Sequence, residues 1–473
     1  MKVDEQHCPE DLIALGGYNC GSRATAPAPN FDNRQAGAKA VLSIDEANSV
    51  WTAYDYSKQE RTTTANVSTV SGHRANHLAV KQTASAGYDL KLNDLVVNTY
   101  IQNALTKNPD ISRSSAVGGG VGIEYEVLTL NTQANYFFET NVLSVGGQYK
   151  KEVLDDRATN TMVSNAIAKR WSYVLFAEDE WSILDDLALT SGARFTNDEG
   201  FGTHIDPRIY IVYNLTDDLV VKGGISSAFK SVAIRKFSDD FNSVTGSSGS
   251  VSLTKGNPNI KPEISVNYEA SLAYTNKDVG LSVGLTAYHS NFKDRITSET
   301  ICNAPSICEY NGVIYDSITS HTNIGRAVIQ GLETTLNYDI SPAISLNAAY
   351  TYTQSEIKSG GSSGRGGTSN AVGKPLNNIA KHMFNMNADF RVNEKFSLWA
   401  QYNYNGKYPE SDGTTTITNK AYKLVDIGVT ISPKKSMDVL IGLYNVFNEE
   451  VTSATHGKYI DGRRVSVGFN VGF

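Results

Sequence analysis

The sequence predicts an all-β fold, a transmembrane antiparallel β-barrel, and three observations carry the prediction. Apolar and small or polar residues alternate one for one in several segments. Tight turns and long polar connections alternate along the chain. No apolar run approaches about 18 residues, yet only 19% of the chain is charged. These exclude a bundle of transmembrane helices and suit a wall in which alternate residues face lipid. Heptads are absent, which excludes a coiled coil. A net charge of -7 argues against a broad nucleic-acid-binding surface. The 473 residues fit either three ordinary domains or one large barrel.

The terminal segment is the clearest strand. Val465, Val467, Phe469, Val471 and Phe473 alternate with Ser466, Gly468, Asn470 and Gly472. A soluble sandwich would put the bulk inside. Small and polar residues opposite an apolar face suit a polar lumen and a lipid-facing exterior. Val266, Tyr268, Ala270, Leu272 and Tyr274 repeat the pattern, as do Leu281, Val283, Leu285 and Ala287. So do Ile344, Leu346, Ala348, Tyr350 and Tyr352.

Tight turns are expected at Asp45–Asn48, Leu92–Asp94, Leu184–Asp186, Thr216–Asp218, Asn276–Asp278, Ser341–Pro342, Asn393–Lys395 and Pro433–Ser436. Between them lie long polar stretches, at Arg61–Asn76, Asp155–Lys169, Lys230–Pro262, Thr297–Gly325, Lys358–Lys381 and Glu449–Gly462. Long connections gathered at one end are the pattern of an outer-membrane barrel. The spacing gives about nineteen strands from near Lys39. Residues 1–36 read as an extracellular-type loop and residues 37–473 as barrel. Tyr54, Tyr56, Tyr350, Tyr352, Tyr402 and Tyr404 near strand ends suit aromatic girdles, although β-propensity alone also enriches tyrosine.

The N-terminal stretch after Met1 has no apolar core and no cleavage site, so it is not a secretory signal. The cysteines form two close pairs in loop-like sequence, Cys8 with Cys20 and Cys302 with Cys308. Local disulfides and an oxidising compartment are the reading; free thiols or a metal site are the alternative. Neither spacing matches a common zinc pattern. The eight histidines are scattered, as solvated loop or lumen residues would be. There is no H-E-x-x-H, G-x-S-x-G or P-loop. Gly118-Gly-Gly-Val-Gly122 precedes a strand rather than a helix, which argues against phosphate cradling. No enzyme chemistry and no cofactor are expected.

Several motifs, in order, resemble those of the TonB-dependent outer-membrane receptors. They are Ala228-Phe-Lys-Ser231, Gly256-Asn-Pro-Asn-Ile-Lys-Pro-Glu263, Phe292-Lys-Asp-Arg-Ile296, Ala327-Val-Ile-Gln-Gly-Leu-Glu333, Leu443-Tyr-Asn-Val-Phe-Asn448 and Asp461-Gly-Arg-Arg464. Val232 stands where the family usually has proline. Tyr173–Trp181, Leu187–Arg194, Lys374-Pro-Leu376 and Lys381-His382 are similar to the group holding the colicin I and ferric enterobactin receptors. The resemblance implies a Gram-negative outer-membrane location and uptake of ferric siderophores, of catecholate type in that group. It implies energy supplied through TonB and a terminal aromatic, Phe473, read by the barrel-assembly machinery. It also implies contact with lipopolysaccharide and secondary use by a bacteriocin or phage. Haem or cobalamin uptake and a passive porin-like channel are the alternatives.

Family barrels have about 22 strands and a plugged lumen. This chain is expected to lack signal, TonB box and plug, together with about three strands. Parity supports the strand deficit, because the first and last strands both run towards the tight-turn end. A ferric tricatecholate is anionic and aromatic, so Arg, Lys and aromatic side chains are the groups to hold it. The candidates are Lys230, Arg235, Lys236, Phe237 and Phe241 in one loop and Arg365 in another. The alternative is that they are ordinary loop charges near lipopolysaccharide or solvent.

Overall fold

The computed structural model describes residues 30–65, 73–109, 122–157, 160, 167–238, 241–247, 250–360, 372–411, 416–434 and 436–472. The wall begins with β1 (Asn30–Ser43), β2 (Asn48–Ala65), β3 (His73–Lys91), β4 (Leu95–Asn108), β5 (Ile123–Phe137), β6 (Asn141–Asp156) and β7 (Ile167–Leu184). It continues through β8 (Leu187–Asp198), β9 (Gly202–Asn214) and β10 (Leu219–Lys230). The following connection holds a short helix, α1 (Ile234–Phe237), and a hairpin of β11 (Asn242–Ser247) and β12 (Ser250–Lys255). Next come β13 (Glu263–Asn276), β14 (Leu281–Tyr310), β15 (Val313–Ser341), β16 (Ile344–Ser359), β17 (His382–Asn393) and β18 (Phe396–Asn405). A second loop hairpin, β19 (Tyr408–Ser411) and β20 (Thr416–Asn419), precedes β21 (Tyr422–Lys434) and β22 (Met437–Tyr444). The short α2 (Ser453–His456) and β23 (Arg464–Val471) end the described chain.

Leaving aside the two loop hairpins, nineteen described strands form one antiparallel meander, each paired with its neighbour in sequence. Directly opposed residues share a face. Ile344, Phe390, Leu398 and Val429 therefore lie in one apolar row, and Asn347, Asn387, Gln401 and Asp426 in a polar row on the other face. The apolar rows are open on the outside: Leu175 is 57% exposed, Ile209 53% and Phe469 70%. In water that surface would be a liability, and it is the surface a bilayer covers. On the inner face, bulky rings lie over glycines of adjacent strands. A Cβ on Gly224 would stand 2.1 Å from the Tyr210 ring, so glycine there is a packing requirement.

β1 and β23 are the two edges of the meander. Each runs from the long-connection end towards the tight-turn end, and among the described residues they do not pair with one another.

The structure differs from the sequence reading in several places, the hairpins β11–β12 and β19–β20 and the pairing of Arg61–Ala65 with His73–His77 among them. β1 starts at Asn30, ahead of the expected boundary at residue 37, because Asn30–Arg34 pair with Thr62–Lys58 of the long β2. Thr297–Gly325 is not a loop. β14 and β15 stay paired out to Tyr310 opposite Val313, and the alternation is lost because a hairpin beyond the bilayer has no lipid face. A further tight turn occurs at 138–140, closed by the Phe138 amide donating to the Asn141 carbonyl at 2.8 Å. Phe-Glu-Thr carries none of the usual turn residues.

Candidate functional site

The connection between β10 and β13 folds back against the inner face of β5 to β8, at the long-connection end. Its anchor is apolar: Ile234 of α1 is buried with Ile123 of β5 and Leu154 of β6. Val232 is 1% exposed, which accounts for an apolar residue at that position.

Around this anchor lies a network of ions. Glu152 and Arg170 stand directly opposite each other on β6 and β7, so their side chains meet on one face. Arg170 donates Nε–H to Glu152 at 3.0 Å and a second N–H to the same carboxylate, and its Nη1 donates to the Val232 carbonyl. The Tyr125 hydroxyl also donates to Glu152, and Asp198 of β8 lies 4.0 Å from the guanidinium. All three ions are buried. Removing one charge from such a set leaves its partner uncompensated in a low-dielectric setting. The network therefore fixes the loop's position, and the loop carbonyl of Val232 is part of it.

The sequence candidates fall on and around this loop. Arg235 pairs with the fully buried Asp156 at 2.9 Å, and its guanidinium lies 5.7 Å from the Phe241 ring. Phe237 packs edge-on against Phe201 at 5.2 Å, with the Arg170 guanidinium 5.6 Å from its ring. Phe241 is buried. Lys230 pairs with Glu263 across the base of the loop at 3.1 Å. Lys236 is half-buried, and its charge reaches His321 of β15. Burial first, and Lys236 second, hold the His321 imidazole below its ordinary value. The structure thus brings five of the six candidates to one loop. Arg365 lies outside the described residues, as do Cys8, Cys20 and Phe473.

The Gly256–Glu263 motif forms the return limb of the loop. The Gly256 amide donates to the Phe241 carbonyl at 2.8 Å, and a Cβ at Gly256 would sit 1.9 Å from the Ser238 carbonyl oxygen. The Asn257 amide donates to Lys236, while its side chain donates to the His321 carbonyl at 2.7 Å. Ile260 is buried, and Glu263 accepts from the Ile296 amide at 2.8 Å. The motif ties the loop to the β14–β15 hairpin.

That hairpin has its own core. The sulfurs of Cys302 and Cys308 are bonded at 1.98 Å, and Cys308 is buried with Leu253, Tyr315 and Ile318. β12 adds to β15 in parallel from Ser252 opposite Ser317. Lys255 lies 3.9 Å from the Tyr310 ring.

Sequence reasoning did not single out a second loop cluster. Lys458 lies between the rings of Tyr408 and Tyr422, at 5.4 and 5.2 Å. Asn445, of the Leu443–Asn448 motif, is buried with φ 49°. Its side chain donates to the Glu449 and Asp461 carbonyls and accepts from the Glu449 amide. Both clusters set cations against aromatic rings at the long-connection end, which is chemistry for an anionic aromatic ligand. Among the described residues, no three His, Cys, Asp or Glu side chains are grouped to hold a metal ion.

Comparison with known proteins places this architecture. Residues 15–446 match the family model "TonB dependent receptor-like, beta-barrel". The iron-regulated outer membrane virulence protein of Vibrio cholerae is 35% identical over 337 residues, covering 70% of this chain and 49% of that protein. The ferric enterobactin receptor of Pseudomonas aeruginosa is 24% identical over 407 residues, 77% of this chain and 52% of that one. The chain spans about half the length of the curated relatives it matches. A crystal structure of a mutant of that Pseudomonas receptor superposes with a TM-score of 0.80 at 20% identity, covering 94% of this chain and 70% of that one. The siderophore receptor PirA of Acinetobacter baumannii gives 0.77 at 17% identity, covering 98% and 73%. Fold, motif order and family match agree: the chain belongs to the TonB-dependent receptor β-barrel family of the Gram-negative outer membrane.

Proposed function

We propose that this chain forms the wall and ligand-gathering loops of a receptor that imports ferric siderophores of the catecholate class, energised through TonB. The observation that carries the reading is the inward-folded β10–β13 connection. It is held by Arg170 and Asp156 and carries Lys236, Arg235 and the partly exposed Phe237 ring at the long-connection end. A ferric tricatecholate offers the matching negative charge and ring faces. Relatives named as ferric enterobactin receptors in two genera support the same class. On this reading the barrel closes with an odd number of further strands, giving an even total near 22. The protein acts as a transporter with no resident cofactor, and the ferric chelate is cargo.

A cobalamin transporter is also among the relatives, 25% identical over 368 residues, and makes vitamin B12 the competing cargo. The test is uptake by the source bacterium under iron limitation. Deleting the gene should abolish uptake of radio-iron presented as a ferric tricatecholate and leave cobalamin uptake intact. Inactivating TonB should have the same effect on iron. Unchanged iron uptake in the deletion strain overturns the reading, and uptake independent of TonB favours a passive channel.

A further inference from the structure

We infer that the tip of the β14–β15 hairpin inserts into a second membrane, one whose outermost charge is a quaternary ammonium, as in phosphatidylcholine. Ile301, Ile307, Val313 and Ile314 enter its apolar boundary, with Glu309 against the headgroups. This inference is independent of the cargo.

The hairpin carries its tip well clear of the wall. Pairing of β14 with β13 ends at Lys293, which is opposite Arg326 of β15. From Arg326 out to Val313, β15 extends roughly 43 Å along the strand. At the tilt of a barrel strand, about 40°, the tip stands roughly 30 Å above that point. The chain's own bilayer therefore does not cover it. Yet the tip is apolar: Ile307 is 77% exposed and Ile314 68%, and Ile301 and Val313 are exposed too. Such a cluster in water marks an interaction surface. Covalent structure keeps it outward. The ladder to β15 skips from Asn303 to Cys308, and the Cys302–Cys308 bond closes the bulge. Cys308 is buried, while its neighbour Ile307 is turned to solvent. A two-residue turn at Asn311-Gly312, both with positive φ, ends the hairpin.

The arrangement favours a lipid over a folded protein. Val313 and Ile314 are successive strand residues on opposite faces, and both are exposed. A protein surface covers one face of a hairpin, whereas an apolar medium surrounds both. Charge then selects the headgroup. Thr297–Ser320 carries Glu299, Glu309 and Asp316 and neither Lys nor Arg. Lys255 of β12, against the Tyr310 ring at 3.9 Å, offsets part of that charge and leaves the tip negative. Glu309 is exposed and directly opposite Ile314, so carboxylate and apolar anchor stand together. An anionic leaflet repels this tip. The ammonium that projects furthest from phosphatidylcholine meets a carboxylate there, while the isoleucines reach the acyl boundary below it, as interfacial anchors do.

The test uses protein extracted from its outer membrane, moved from detergent into an amphiphilic polymer and floated with vesicles of phosphatidylcholine or of phosphatidylglycerol. Wild type should bind phosphatidylcholine vesicles saturably and phosphatidylglycerol vesicles about fivefold or more weakly, the worth of a single charge near the surface. Each isoleucine withdrawn from an apolar site is worth about tenfold, so Ile307→Ser/Ile314→Ser should bind about a hundredfold more weakly. Ile307→Leu/Ile314→Leu should bind as wild type does. Ile417→Ser, at an exposed position of β20, should change nothing. The indole introduced by Ile307→Trp should shift its emission to the blue on phosphatidylcholine vesicles, and free phosphocholine should not displace them. Absence of vesicle binding by the wild type overturns the inference, as does full binding by the serine pair with wild-type heat-modifiable migration. Equal binding of the two vesicles overturns the headgroup assignment. An unshifted emission, or displacement by phosphocholine, would make this a headgroup site without insertion and overturn it as well. If the serine pair fails to fold, the emission of Ile307→Trp decides.

Discussion

Asp156, at the end of β6, is fully buried and holds the Arg235 guanidinium of the β10–β13 loop at 2.9 Å. The carboxylate belongs to the wall and the guanidinium to the loop, so the pair couples the loop's position to the barrel. Arg235→Ala should free the loop at a cost of about 1–2 kcal/mol, below the range for fully buried pairs because Arg235 is partly exposed. Faster hydrogen exchange over residues 232–238, with the strands unchanged, would check it. Unchanged exchange would show that the apolar anchor suffices.

Arg170 has a larger role. Its fork donates twice to Glu152 and once to Val232, which a lysine cannot reproduce. Arg170→Lys should lower the urea midpoint by an amount equivalent to about 2–4 kcal/mol. Arg170→Lys should also loosen the loop as Arg235→Ala does. A midpoint equal to wild type would contradict the fork's importance.

Gly256→Ala should displace the return limb of the loop, because the new Cβ would meet the Ser238 carbonyl at 1.9 Å. Backbone is the obstacle, so no rotamer change relieves it. The expected outcome is an intact barrel on a heat-modifiability gel with several-fold weaker ligand binding. Wild-type binding would show that the loop can move without cost.

His321 gives the loop a pH dependence. Burial and Lys236 hold the folded imidazole below its ordinary value of 6.5, so the opened segment takes the proton more readily. The stabilisation is therefore complete above about pH 6.5 and is lost as pH falls through that range. Hydrogen exchange over residues 313–322 should rise below that range in wild type and stay flat in His321→Gln. Equal pH dependence in both would assign the effect to another group.

Alternation made the wall legible in the sequence. Val465 to Val471 and Ile344 to Tyr352 separate a lipid face from a lumen face residue by residue, and the structure keeps those assignments. Where a segment leaves the bilayer that two-faced constraint ends, which hid the extension of β14 and β15 and the loop hairpins β11–β12 and β19–β20. The site was half legible. Arg235, Phe237 and Phe241 were visible as charges and rings close together in one polar stretch. Asp156, Glu152, Arg170 and Asp198 were not, because they stand at inward positions on the ends of three strands, β6, β7 and β8, and only register brings them together. The Gly256–Glu263 motif was visible as a pattern, while its role in tying the loop to His321 and Asn323 needed the fold.

The most direct test of the account is equilibrium binding of a ferric tricatecholate to the detergent-extracted protein, followed by fluorescence quenching, in wild type and in Lys236→Glu. The account predicts saturable binding by the wild type. Reversing Lys236 should weaken it by about tenfold or more, with no binding of cobalamin. Absence of tricatecholate binding, or binding indifferent to the charge at Lys236, would contradict it.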